Sequence, residues 1–87
     1  GCGEYRMTPR MGRFTRYDRR TGYPYRYRYA YRGGDIPHYK FWVCIDGWTW
    51  TWICDAFAID DGMKIIDAMD MLKFARQWAD SPFREEV

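Results

Sequence analysis

Five tyrosines at every second position, Tyr23, Tyr25, Tyr27, Tyr29 and Tyr31, run alongside Arg26, Arg28 and Arg32. Each guanidinium offers a planar fork of donors for carboxylates or phosphates, and each phenol a flat face with a polar tip. Such a stretch has the chemistry to grip acidic groups: partner carboxylates, lipid head groups, or phosphates with bases stacked between them. The rest of the chain supplies little for turnover. His38, the only histidine, follows Pro37 and has no His or Cys near it in sequence, so no metal site is expected. Cys2, Cys44 and Cys54 form no C-x-x-C pair and are expected to be free thiols. No nucleophile, base and orienter, and no Gly-rich phosphate loop, can be assembled from 87 residues. The expectation is a chain that is not an enzyme and binds no cofactor, with structural phospholipid contacts at most.

Charge is strongly polarised along the chain. Residues 1–40 carry nine Arg and Lys40 against Glu4, Asp18 and Asp35, a net of +7, whereas residues 41–87 carry four basic and nine acidic groups, a net of −5. Between these halves lies Phe41 to Ile59, nineteen residues without Lys or Arg. Roughly 20 residues at a rise of about 1.5 Å cross a hydrocarbon core about 30 Å thick, so this order reads as a single transmembrane helix with two flanks. No apolar h-region marks a secretory signal near Gly1, and the basic arm is read as part of the mature protein. The arm is expected to be irregular over residues 1–37, with a strand permitted where the tyrosines alternate. Beyond the run, Asp60 or Asp61 is expected to cap an amphipathic helix over about 63–79, whose stripe is Ile65, Ala68, Met69, Leu72, Ala75 and Ala79 and which ends at Ser81-Pro82.

The apolar run admits a second conformation. Tyr39–Ile45 and Trp48–Cys54 flank Asp46-Gly47, a dipeptide favoured in tight type I′ turns, and their Thr, Val and aromatic residues suit strands. In that hairpin Phe41, Val43 and Ile45 would share a face with Trp48, Trp50 and Trp52. As a helix, the same run places Gly47, Thr51, Cys54 and Ala58 on one narrow stripe where neighbouring helices could pack closely. Asp46 and Asp55 would flank that stripe, each costing about 2.5–3.5 kcal/mol at the bilayer centre, and would have to pair with partner subunits. Tyr39, Lys40 and Trp42 would anchor one membrane edge.

Several short motifs, taken in order, resemble the AGGG-type accessory subunit of the membrane arm of mitochondrial respiratory complex I. They are Gly1-Cys2-Gly3 with Pro9-Arg10; the stretch Gly47, Trp50, Trp52, Ile53, Phe57 and Asp60; and Gln77-Trp78-Ala79-Asp80. The two acids, the long Arg/Tyr arm and the tail helix depart from that pattern. The resemblance implies an all-α membrane fold in three parts: matrix arm 1–40, transmembrane helix 41–59 and acidic tail 60–87. It also implies an inner-membrane location, with the N-terminus in the matrix and the C-terminus in the intermembrane space. Arg26, Arg28 and Arg32 would then make arm contacts and Trp78 would anchor the tail at the membrane surface. The role would be assembly and stability of the membrane arm among other membrane subunits, without electron transfer or proton pumping. The alternative from the residues themselves is a small soluble α+β protein that binds nucleic acid with the Arg/Tyr arm and the Trp hairpin.

Overall fold

A computed structural model describes residues 10–80. The N-terminal motif residues up to Pro9, Cys2, and the helix stop at Ser81-Pro82 lie outside the described residues. Four strands, β1 (Met11–Tyr17), β2 (Pro24–Arg32), β3 (His38–Cys44) and β4 (Trp50–Ala56), form one antiparallel sheet in the order β1-β2-β3-β4. Two helices follow, α1 (Ile59–Ala68) and α2 (Met71–Asp80).

The all-α membrane expectation is thereby corrected to a small α+β fold. Phe41 to Ile59 is two strands, a loop and the first residue of a helix. Among the described residues no helix is long and apolar enough to cross a membrane. A single-pass inner-membrane placement, with its matrix and intermembrane-space ends, loses its basis. The physical reason lies in the run itself: alternating Trp, Thr, Val and Ile suit a pleated, half-buried surface, and Asp46 finds its hydrogen bonds in a turn instead of in lipid.

The hairpin differs from the expected two-residue turn. Five residues, 45–49, join β3 to β4. Asp46 Oδ1 accepts the backbone N–H groups of Trp48 and Thr49, both at 2.8 Å, and Gly47 takes φ +89°, a conformation that favours glycine. Those two N–H bonds, Thr49 first, hold the Asp46 carboxyl below its ordinary range. The longer loop changes the register. Trp42 faces Trp52, Val43 faces Thr51 and Cys44 faces Trp50, so the tryptophans join Trp42 and Cys44 and not Phe41 and Val43. A bulge at Ile53 follows, since Phe41 pairs with Cys54.

Tyr25, Tyr27 and Tyr29 point to one face and are buried with Phe41, Val43, Ile53, Ile66 and Met71. This core is unusually aromatic: Phe14 stacks on Tyr27 at 5.0 Å between ring centroids, and Tyr29 lies 5.7 Å from Phe41. Helix α1 packs against β3 and β4 at its buried Gly62, where a β-carbon would run into the Phe41 ring.

The tail is two helices where the apolar stripe predicts one. Met69 is extended (ψ 150°) and donates its N–H to Ile66 O at 3.1 Å, ending α1. Asp70 Oδ1 then accepts the Lys73 N–H at 3.1 Å, capping α2. Asp at a cap is more favourable than Asp inside a helix, and the break lets Ile66 and Met71 both reach the core. Asp60 and Asp61 do not cap α1; they occupy its first turn, where the helix dipole favours acids, behind Ala58 as N-cap.

Candidate nucleic-acid interface

Residues directly opposite on paired strands share a face, so the register alone lays out what covers the side of the sheet away from α1. One cross-strand row reads Arg13, Arg28, Trp42, Trp52. The next reads Thr15, Arg26, Cys44, Trp50. On the same face, along the other edge of the first row, lie Met11, Ala30, Lys40 and Asp55, and beyond them Arg32 opposite His38. Arg13, Arg26, Arg32 and Trp52 are exposed.

The cations lie over indole rings. Arg28 Cζ is 4.6 Å from the Trp42 centroid and 5.2 Å from that of Trp50. Arg32 stands 5.4 Å over Trp42, Arg13 5.9 Å over Trp50, and Lys40 Nζ 5.8 Å from Trp52. Stacking of this kind holds a guanidinium flat while leaving its N–H edge free to donate. Arg26 Nη2 donates to Cys44 Sγ at 3.7 Å.

Among the described residues cations outnumber acids on this face. Among the described residues Arg13, Arg26, Arg28 and Arg32 have no carboxylate partner, and the Nε of Arg28 is buried with no acceptor. The one acid in these rows, Asp55, accepts the Trp52 indole N–H at 2.8 Å and lies 4.0 Å from His38 Nε2. Other arginines are paired: Arg16 with Asp67 at 3.0 Å and Arg20 with Asp70 at 2.9 Å, tying the β1–β2 hairpin to the helices.

Of the residues singled out from sequence, Arg26, Arg28 and Arg32 do share a face, and Lys40 and Trp42 join them. The others scatter. Gly47 is in the β3–β4 loop, Thr51 and Cys54 are in β4, and Ala58 precedes α1, so the expected helix-packing stripe does not exist. Burial and the Asp55 charge push the Cys54 thiol up. Asp46 and Asp55 are exposed, the first in a turn and the second on the open face. Tyr39 packs on the core side, edge-on to Tyr29 and Tyr31, and Trp78 is half-buried on α2. Sequence reasoning missed Arg13, which only the β1–β2 register brings to Arg28. It also placed Trp50 and Trp52 with Phe41, one residue out of phase.

The chain matches no family model, and neither a curated protein nor a solved structure is significantly similar to it. Nothing in these comparisons links it to complex I accessory subunits. Of the three motifs that carried the resemblance, the central one is divided among the β3–β4 loop (Gly47), β4 (Trp50, Trp52, Ile53), the connection after it (Phe57) and α1 (Asp60).

Proposed function

We propose that this chain binds single-stranded nucleic acid on the open face of its sheet. The observation that carries the reading is the set of arginines, Arg13, Arg26, Arg28 and Arg32, without a carboxylate partner among the described residues and ordered in part by stacking on tryptophan. Arg13 and Arg28 stand directly opposite each other. Like charges so placed destabilise a sheet, and an anion that binds between them removes the penalty. Phosphates answer to the forked donors, and unpaired bases answer to the half-open Trp52 ring, which is 53% exposed. A duplex would bury its base faces and leave that ring unused.

Binding of a short oligonucleotide, followed by tryptophan quenching across salt concentrations, tests this. Each phosphate neutralised on a single strand contributes about −0.7 to the slope of log affinity against log salt. With Arg13, Arg26, Arg28, Arg32 and Lys40 all engaged, the slope approaches about −3.5. A salt-independent affinity, or one untouched by the pair Arg28→Glu and Arg32→Glu in a folded protein, overturns the proposal.

A further inference from the structure

The outer edge of β1 has no strand beside it among the described residues, since β1 stands first in the sheet order. The direction of its backbone groups follows from two bonds that flank it. Arg10 O accepts the Tyr31 N–H at 2.6 Å, and the Asp18 N–H donates to Tyr23 O at 2.9 Å, both in the register of the β1–β2 ladder. Opposite residues on antiparallel strands alternate between exchanging hydrogen bonds and not doing so. Even-numbered residues therefore turn their N–H and C=O groups to β2, and Met11, Arg13, Thr15 and Tyr17 turn theirs outward. The side chains of the same four residues are exposed, Met11 by 72% and Tyr17 by 69%. Thr15 O accepts Nη1 of Arg16 at 3.3 Å, and a carbonyl has a second lone pair to offer.

Proteins commonly blunt a free edge with a bulge, a proline or charge. The other edge strand, β4, is irregular opposite Phe41 and Trp42, whereas β1 pairs with β2 over all seven of its residues without a shift. It holds no proline, and its charges are Arg13 and Arg16. We propose that this edge pairs with the same edge of a second copy of the chain, antiparallel about a two-fold axis at Phe14, the register that engages every residue of the strand. Met11 then faces Tyr17 of the second copy, Gly12 faces Arg16, Arg13 faces Thr15, and Phe14 faces its own equivalent. The outward residues meet only one another, so each N–H finds a C=O. At either end the exposed thioether of Met11 covers an exposed phenol, and the two half-buried Phe14 rings meet on the inner face. Neither arginine stands directly opposite a like charge; the two Arg13 are diagonal neighbours, about 7–8 Å apart. The axis is normal to the sheet, so the two open faces lie on one side of a single joined sheet. The pairing does not depend on what that face binds.

One edge against another buries less than a standard interface, so a dissociation constant between about 1 μM and 1 mM is expected. Sedimentation velocity and amide hydrogen exchange of the full chain across that range test the assignment. The average mass should rise towards twice the monomer's, and exchange at Met11, Arg13, Thr15 and Tyr17 should slow as concentration rises. Thr15→Lys sets a cation opposite Arg13 and should weaken the dimer, and Thr15→Glu sets an anion there and should tighten it. Two such pairs form per dimer, which makes each change about twofold to thirtyfold. Thr15→Pro removes an N–H that the β1–β2 ladder does not use, and should abolish the dimer while the fold persists. Should that variant fail to fold, the Lys and Glu variants decide. A chain that stays monomeric to about 1 mM, slowing confined to Trp50–Ala56, exchange at the four amides independent of concentration, or equal dimerisation by the Lys and Glu variants each overturns the proposal. A Thr15→Pro protein that melts with the parent and still dimerises does so too.

Discussion

Arg28 stands at the centre of the open face, and replacing it separates a structural role for the cation–indole contacts from a binding role. In Arg28→Ala the fold loses two cation–π contacts, at 4.6 and 5.2 Å, worth about 0.5–1 kcal/mol each at partly exposed positions. It also loses two liabilities. The buried Nε without an acceptor costs about 1–3 kcal/mol, and the facing Arg13 repels it by about 0.2–1 kcal/mol. Taken at their midpoints these terms leave the variant about 1 kcal/mol more stable, with extremes of about 1 kcal/mol less and about 3 kcal/mol more, and each kcal/mol moves the melting temperature of a domain this size by about 4–8 °C. Oligonucleotide binding should change more clearly: the salt slope becomes shallower by about 0.7. Arg28→Lys should recover the slope while restoring only part of the affinity, since an ammonium keeps the charge but not the flat fork. Thermal unfolding and salt-dependent fluorescence titration on the three proteins decide the matter. An Arg28→Ala protein that melts more than about 15 °C lower and binds with the parent's slope would refute the account, because the ladder would then be part of the fold's own stability.

Further outcomes follow from the packing and the turns. Gly62→Ala forces a methyl into the Phe41 ring, which is 0% exposed; overpacking at about 1–3 kcal/mol outweighs a helix-propensity gain of about 1 kcal/mol, so the urea midpoint should fall. A midpoint that rises would show that the ring has room to retreat. Backbone N–H groups hold the carboxyls of Asp18, Asp46 and Asp70 below their ordinary value of 3.8. Because the folded-state value is the lower one, their contribution is present above about pH 4 and lost as pH falls through the folded values. Denaturation midpoints measured from pH 5 to pH 2 should decline over that range, and a flat profile would contradict the turn geometry.

Parts of this architecture are legible in the order of the residues alone. Residues 1–37 are expected to be irregular, yet β1 and β2 lie among them; the alternating tyrosines only permit a strand, and Tyr25, Tyr27 and Tyr29 are its buried face, while Asp46-Gly47 marks the reversal between β3 and β4. The membrane expectation arises because absence of Lys and Arg over Phe41–Ile59 is equally a property of two adjacent half-buried strands. A twenty-residue helix and a strand–turn–strand of the same length leave similar hydropathy. The choice rests on what Asp46 and Asp55 would cost in lipid, and the structure places both carboxyls where they accept hydrogen bonds. The interface is half visible. Arg26, Arg28 and Arg32 can be grouped from their spacing, but Arg13 and the tryptophans join them only through register, and a loop of five residues in place of two inverts which residues share a side. The division at Asp70 is hidden because the stripe from Ile65 to Ala79 continues across it.

Each strand of the sheet pairs with the strand next to it in the chain. Chain segments therefore meet across short separations, and the entropy lost on closing each reversal is small. Assembly of the β-meander should accordingly be quick for a protein so rich in strand, with no slow search for distant partners. Its basic–aromatic surface is drawn from all four strands and is complete only when the last hairpin has zipped.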